Sequence, residues 1–277
     1  MSSQKQKQKK GLKRNTIDKF YTSAEIVKTC MTEITKHLDI DRNNDLCIEP
    51  SAGNGSFIPA IKRYFKHSQF YDLEPDHTDI EKQDYLALNL DISAYRKVHV
   101  VGNPPFGRQS SMAIKFIKKS CEYADSVSFI VSRSFKKESM QKYFPKNFHL
   151  VYEYDIPENS FLVEGRAHDV PCVFQIWEFR DFPRKIAEKQ IPKGYSFVKQ
   201  DKNPHISFRR VGFKAGQISY DTQSKSQQSH YFIKFDHEIS EATFKKLEVI
   251  DYPSKNNTAG ARSISKAELI KEFNMVL

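Results

Sequence analysis

Four consecutive residues, Asn103-Pro104-Pro105-Phe106, combine groups that could hold a flat ring carrying an amino group. The Asn103 side chain and the Pro104 backbone offer two adjacent carbonyl acceptors, and the aromatic face of Phe106 follows. Because each proline fixes its φ at about −65°, the acceptors are in place before a substrate arrives. An exocyclic amine that donated its protons to them would turn its nitrogen lone pair toward an electrophile. The same sequence is also common as a purely structural turn after a strand, so its interpretation depends on the residues upstream.

A glycine loop lies upstream of this turn, directly after a short apolar strand predicted over 45–50. It contains Gly53 and Gly55 and precedes a helix predicted over 57–65. A strand, a glycine loop and a helix N-terminus bring backbone close to a nucleoside-like ligand in doubly wound sheets. The loop lacks the third glycine of a dinucleotide site and the Gly-Lys-Ser/Thr of a P-loop. Neither of those two ligand classes is therefore favoured.

Two acidic residues follow at predicted ends of later elements. Asp72 ends a predicted strand, where its carboxylate could accept hydrogen bonds from a ribose diol. Asp84 is expected after a short helix, and it could accept from an adenine amino group while Tyr85 or Leu86 covers the ring. Each acid alone would be interpreted as a cap or a strand end. Their order, together with the glycine loop and Asn103, indicates a single ligand site along one sheet edge.

This motif order resembles that of the S-adenosylmethionine-dependent N6-adenine methyltransferases. It is most similar to members in which the cofactor motifs precede the catalytic motif and a target-binding part comes last, and the similarity runs from about Asn15 to Trp177. The resemblance implies a Rossmann-like class I methyltransferase fold of the α/β class. We therefore expect a mostly parallel seven-stranded sheet with an antiparallel last strand.

The resemblance also implies roles for individual residues. The S-adenosylmethionine site would comprise Tyr21, Thr22, Glu49, Pro50, Ser51, Gly53, Gly55, Asp72, Leu73, Asp84, Tyr85 and Asn103. Within that set Glu49 would face the methionine amino group, Asp72 the ribose, and Asp84 with its neighbour the adenine.

The catalytic residues implied by the resemblance are Asn103, Pro104, Pro105 and Phe106. The family more often has tyrosine at the last of these positions, but a phenylalanine ring stacks equally without a hydroxyl. Phe161 is the candidate for a second ring face against the target base.

Charge divides the chain unevenly. The net charge is +10, and residues 1–14 contribute six positive charges, which leaves +4 for the rest. We therefore predict a disordered basic arm over 1–14, a catalytic domain over 15–182 and a small α+β recognition region over 183–277. In the last of these, Arg209, Arg210 and Lys214 are candidate substrate-binding residues.

Other features exclude whole classes of protein. No run of apolar residues is long enough for a membrane span. The four cysteines, Cys30, Cys47, Cys121 and Cys172, are spread singly, which predicts neither a disulfide framework nor a metal site. We expect an intracellular protein, in the cytoplasm or the nucleus.

The sequence thus predicts methyl transfer from S-adenosylmethionine to the N6 amino group of adenine in DNA by direct displacement. Two alternatives stay open, namely adenine in RNA and the side-chain amide of a protein glutamine. The C-terminal region is small for reading a long duplex site, so a short target sequence, a weak sequence preference or reliance on a partner subunit is expected.

Overall fold

The computed structural model describes residues 20–163 and 166–277. The predicted basic arm over 1–14 lies outside the described residues. Within those ranges no helix combines the length and the apolar character needed to cross a membrane.

In the described part of the chain, strands and α-helices alternate at first, and the eight strands between residues 148 and 235 then follow one another without an α-helix between them. The strands are β1 (Tyr21–Thr22), β2 (Leu46–Glu49), β3 (His67–Asp72), β4 (Glu81–Lys82), β5 (Val98–Gly102), β6 (Ser126–Ser132), β7 (Phe148–Asp155), β8 (Phe161–Val163), β9 (Arg166–His168), β10 (Cys172–Phe179), β11 (Tyr195–Val198), β12 (Ile206–Arg209), β13 (Ile218–Ser219) and β14 (His230–Phe235). The helices are α1 (Ala24–His37), α2 (Ile58–Tyr64), α3 (Ser111–Ser120), α4 (Glu138–Gln141), α5 (Glu241–Glu248) and α6 (Lys266–Val276).

The central sheet has seven strands in the spatial order β4-β3-β2-β5-β6-β10-β7. Strand β10 runs antiparallel to both of its neighbours, while β2, β3, β4, β5 and β6 pair in parallel. Every residue of β2, β5 and β6 is buried, as expected for parallel strands covered on both faces. The predicted Rossmann-like class I methyltransferase fold, with its antiparallel last strand, is confirmed.

Helices cover both faces of this sheet. Helix α1 packs one stripe of apolar residues, from Ile26 to Ile34, into a core that it shares with α2. On the opposite face, α3 buries Ala113, Phe116 and Ile117 in a second core that includes Trp177. The chain moves outward from β2 to β3 and then crosses back to β5, so the strand order reverses between β2 and β5. Ligands of open α/β sheets bind at such a reversal, outside the carboxyl ends of the strands.

A short sheet of order β1-β8-β9 lies beside the central one. It joins distant parts of the chain, because Thr22 pairs with Phe161 and Tyr21 with Leu162. The sequence did not predict these strands, since two or three residues are too few to display a period of two.

The predicted short helix before Asp84 is wrong. Strand β4 occupies that position and pairs in parallel with the end of β3, with Glu81 opposite Tyr71. The Gln83 backbone amide extends this pairing by donating to the Asp72 carbonyl at 2.9 Å. Hydrogen bonding at the open sheet edge therefore prevails over any local helical tendency.

The C-terminal residues form a sheet of order β11-β14-β12-β13 with α5 and α6 against it. Its core is separate from the other two and contains Phe208, Leu247 and Phe273. The α+β character was predicted, but α6 was not. A signal for α6 existed, since Ser265 and Glu268 form a capping box at its N-terminus.

Candidate functional site

A cleft of about 380 Å³ opens at the carboxyl ends of β2, β3 and β5. Its size is in the range of small-molecule sites. The cleft is lined by fourteen of the residues predicted for cofactor or substrate: Tyr21, Thr22, Glu49, Pro50, Ser51, Gly53, Asp72, Leu73, Asp84, Tyr85, Asn103, Pro104, Pro105 and Phe106. The structure therefore brings together the glycine loop, both acids and the Asn-Pro-Pro-Phe turn.

The glycine loop is fixed to the end of β3. The Gly53 backbone amide donates to Oδ2 of Asp72 at 2.8 Å, and the Ala52 amide donates to the Tyr71 carbonyl at 2.8 Å. Gly53 has φ +53°, and a Cβ there would lie 3.0 Å from the Tyr21 ring. A left-handed backbone and this close approach both require glycine. Asp72 thus shapes the loop in addition to presenting its carboxylate to the cleft.

Gly55 does not line the cleft. It has φ +78°, and a Cβ there would lie 2.8 Å from the Ile58 side chain and 3.0 Å from the His77 ring. Its position allows the loop to turn tightly into α2, so its contribution to a ligand is through the shape of the loop.

Glu49 is a buried carboxylate that faces the cleft. Its side chain is 2% exposed, and within the described residues Oε2 has no hydrogen-bond partner. Burial first, and repulsion from Asp72 second, raise the pKa of Glu49 well above its ordinary value of 4.5. An unpaired buried carboxylate is costly unless a cation or donor reaches it. This residue is consequently suited to accept a ligand ammonium group.

Asn103 has a fixed side-chain orientation. Its Nδ2 donates to the Phe20 carbonyl at 3.1 Å and to Oγ1 of Thr22 at 3.3 Å. Because Nδ2 faces both acceptors, Oδ1 lies on the opposite side of the side-chain amide. Within the described part of the chain, neither Oδ1 of Asn103 nor the carbonyl of Pro104 accepts a hydrogen bond. Two acceptors on adjacent residues are therefore free in the cleft wall.

Phe106 contributes an apolar surface beside these acceptors. Its half-buried ring packs against both cores of the central sheet, and its carbonyl accepts from the Met112 amide at 3.1 Å. Gly107, at φ +66°, makes the turn from this residue toward α3. The ring is thus anchored by the start of the following helix.

The end of the cleft near Asp84 is apolar. Oδ1 of Asp84 accepts from the Leu86 amide at 3.0 Å, and Leu73 is 61% exposed in the cleft. The Tyr85 hydroxyl points away into the core, where it bonds Ser120 and Tyr123. The leucine side chains are therefore the available cover for a ligand ring, and Tyr85 supports the wall from behind.

Several lining residues were not predicted, including three from α3. These are Met112, Lys115 and Phe116, spaced i, i+3 and i+4 so that they share one helix face. That spacing directly after the Asn-Pro-Pro-Phe turn was a usable signal. Lys115 is exposed, and no ion pair of the described residues includes it.

The remaining predicted substrate-binding residues do not line the cleft. Phe161 is 1% exposed and belongs to the core under α1, where it pairs with Thr22 across β8 and β1. Its ring supports the strand that holds Asn103. Arg209 and Arg210 are half-buried and Lys214 is exposed, and all three lie in the C-terminal unit.

The residues present fit S-adenosylmethionine. Glu49 would hold its ammonium group and Asp72 its ribose. Asp84 would accept from the adenine amino group, and Leu73 with Leu86 would contact the ring. The orphaned Glu49 carboxylate is the structural observation on which this fit depends.

No family model matches the chain. The Arabidopsis thaliana protein ENHANCED DOWNY MILDEW 2 is 23% identical over an alignment of 208 residues, which covers 65% of this chain and 15% of that protein's length.

Similar solved structures include two methyltransferase candidates. One is a class I S-adenosylmethionine-dependent candidate from Listeria monocytogenes, with TM-score 0.45, 17% identity and coverage of 61% of this chain and 63% of that one. The other is an RNA methyltransferase candidate from Pyrococcus horikoshii, with TM-score 0.44 and 17% identity. The match covers 61% of this chain and 92% of that one. At these identities and TM-scores the solved structures assign neither substrate nor activity to this chain. The order β4-β3-β2-β5-β6-β10-β7, with β10 antiparallel, gives the chain its Rossmann-like class I methyltransferase fold.

Proposed function

We propose that this protein transfers a methyl group from S-adenosylmethionine to the N6 amino group of adenine in DNA. The observation that carries the proposal is the orientation of Asn103, whose tethered Nδ2 leaves Oδ1 free beside the free carbonyl of Pro104. A primary amine attached to a flat ring has two protons for these two acceptors. The half-buried Phe106 ring offers the adjoining face on which such a base stacks.

The chain's own groups would act by positioning and polarising the base. When both N6 protons are donated to Asn103 and Pro104, the nitrogen lone pair is less delocalised into the ring. S-adenosylmethionine supplies an electrophilic sulfonium methyl group. Attack by N6 on this methyl carbon would break its bond to sulfur, leave the thioether S-adenosylhomocysteine and release one N6 proton, without a covalent intermediate on the protein.

The target base must reach a recessed turn. Pro104 is buried and Asn103 is half-buried, so an adenine inside a duplex cannot contact them while it is stacked. An adenine in duplex DNA would therefore leave the helix, as bases do in other enzymes that modify them. An adenine in RNA and a glutamine amide carry the same type of amino group and are distinguished by experiment.

The first experiment incubates purified protein with labelled S-adenosylmethionine and separate DNA, RNA and protein substrates. Label on adenine N6 of DNA is expected. Label found on RNA or on glutamine alone would contradict the choice of substrate.

The second experiment changes Asn103 to alanine. Removal of one preorganised polar group costs roughly 2.7–4 kcal/mol, so turnover should fall about 10²- to 10³-fold. Cofactor affinity, measured by calorimetry, should largely survive. Asn89→Ala is the matched control, because Asn89 is exposed and does not line the cleft. Equal turnover in the Asn103 variant and the wild type would refute the assignment.

A further inference from the structure

Two segments of the C-terminal unit form a rigid paired surface, here called the basic ridge (residues 210–214 and 262–266). Val211 and Ser263 form an antiparallel bridge. The Gly212 amide donates to the Arg262 carbonyl at 2.9 Å, and the Ile264 amide donates to the Arg210 carbonyl at 2.9 Å. The side chains of the basic ridge thus project from a hydrogen-bonded frame.

The basic ridge carries four cations without acidic partners. Within the described residues, Arg210, Lys214, Arg262 and Lys266 form no ion pair. Other lysines of the same unit do form them, as Lys225 does with Asp221 at 3.1 Å. The acid that follows the ridge in sequence, Glu268, is already engaged by Ser254, by the Ser265 amide and by Lys137. The positive charge of the ridge is therefore available to an anion.

Aromatic rings hold three of these cations in place. The Arg210 guanidinium lies 5.6 Å from the Tyr231 ring centroid, and Nζ of Lys266 lies 4.7 Å from that of Phe197. The Arg262 guanidinium lies 5.2 Å from the ring of Phe213. Such contacts restrict the cations without neutralising them.

Phe213 protrudes from the ridge. It is 83% exposed, whereas Phe208 of the neighbouring strand is fully buried in the C-terminal core. Phe213 lies between Gly212 and Lys214 in sequence, and its ring is close to the Arg262 guanidinium. A large exposed ring beside cations can stack on a nucleobase or enter a base step. The aromatic residue that could contact nucleic acid is therefore Phe213.

One largely buried lysine attaches the ridge to the catalytic edge of the central sheet. Nζ of Lys137 donates to the Ser263 carbonyl at 2.7 Å and lies 3.4 Å from Glu268. Lys137 follows β6, whose last residue, Ser132, contacts the Ser110 hydroxyl at 2.9 Å. Ser110 belongs to the loop after Phe106. The ridge is consequently fixed beside the strand end that supports the Asn-Pro-Pro-Phe turn.

From these observations we infer that the basic ridge is the docking surface for duplex DNA. Arg210, Lys214, Arg262 and Lys266 contact backbone phosphates, and Phe213 enters the stack where the target adenine leaves it. This inference rests on the proposed function, since a flipped adenine is what creates the gap that Phe213 would fill.

Salt dependence of DNA binding tests the cations. The slope of log K against log salt concentration falls by about 0.9 for each phosphate that the protein no longer neutralises. The double variant Arg262→Gln/Lys266→Gln should therefore lower the slope by about 2, measured by fluorescence anisotropy on a short duplex. Lys214→Gln should lower it by about 1, and this exposed residue is not needed for folding. Lys245→Gln/Lys246→Gln on α5 is the matched control and should leave the slope unchanged.

A duplex that lacks one base tests Phe213. The wild type should bind this duplex about tenfold more tightly than an intact one, and Phe213→Ala should lose the preference. Unchanged salt slopes in the ridge variants, or an unchanged preference in Phe213→Ala, would overturn the inference. Stronger ridge-dependent binding to duplex RNA would also overturn it. These binding measurements need no methyl transfer, so failure of the proposed function would appear separately, as bound but unmethylated DNA.

Discussion

Replacing Glu49 by glutamine should change cofactor affinity and protein stability in opposite directions. Glutamine has nearly the same shape, but it cannot form the ion pair expected with the ligand ammonium group. A hydrogen bond to a charged group contributes about 1.5–3 kcal/mol, so the Kd for S-adenosylmethionine should rise roughly 10- to 150-fold. Because glutamine keeps one oxygen acceptor, we expect the lower part of that range.

The stability effect follows from the raised pKa of Glu49. In the unfolded chain this carboxyl ionises near its ordinary value of 4.5, whereas burial and repulsion from Asp72 raise its pKa in the empty folded protein. The folded state then binds more protons than the unfolded state, so stability of the wild type falls as pH rises above 4.5. The stability of Glu49→Gln should not decrease with pH in this way, because glutamine does not ionise. The empty variant should therefore be more stable than the empty wild type at neutral pH.

Calorimetry and thermal unfolding measure both effects. Titration of S-adenosylmethionine in buffers of different ionisation enthalpy should show proton release from the wild type and none from Glu49→Gln. Glu158→Gln, an exposed substitution outside the cleft, should behave as the wild type in both assays. A variant that binds the cofactor normally, or that is less stable than the wild type when empty, would refute this account of Glu49.

Three further predictions concern the surroundings of the cleft. Thr22→Val removes one of the two acceptors that orient Asn103, so turnover should fall by less than in Asn103→Ala while cofactor Kd stays within about twofold, as steady-state kinetics and calorimetry would show. Gly53→Ala places a Cβ at φ +53° and 3.0 Å from the Tyr21 ring, so urea unfolding should show a loss of about 1–2 kcal/mol. Burial alone would raise the pKa of Asp45, but hydrogen bonds, led by those from Arg96, lower it from 3.8 to about 2. The resulting stability of about 2 kcal/mol should be present above pH 4 and lost as pH falls through 2, and Asp45→Asn should not show that loss in acid denaturation.

The sequence predicted those parts of the site that depend on local patterns. Strands β2 and β5 are mostly apolar, and the residues that follow them, Gly53 and Asn103, must meet at the edge of a parallel sheet. Such elements have enough residues to reveal a period or a cap.

The residues that were placed less well depend on tertiary contacts. Tyr85 turns into the core because Ser120 and Tyr123 satisfy its hydroxyl there, and adjacency to Asp84 could not reveal this. Phe161 is covered because its strand pairs with Thr22, which lies far earlier in the chain. Lys137 contacts Ser263 and Glu268, which lie in the C-terminal unit. None of these partners lies near in sequence.

The two-residue strand that orients Asn103 also sets an order of events during synthesis. Tyr21 and Thr22 leave the ribosome early, but the strand that pairs with them, beginning at Phe161, is translated long after Asn103 itself. Domains fold as their parts become available, and pairings distant in sequence form last. A nascent chain can therefore assemble β2, β3 and β5 while its key amide still rotates freely. The orientation of the Asn103 amide would therefore be completed only after the β8–β9 hairpin has been synthesised.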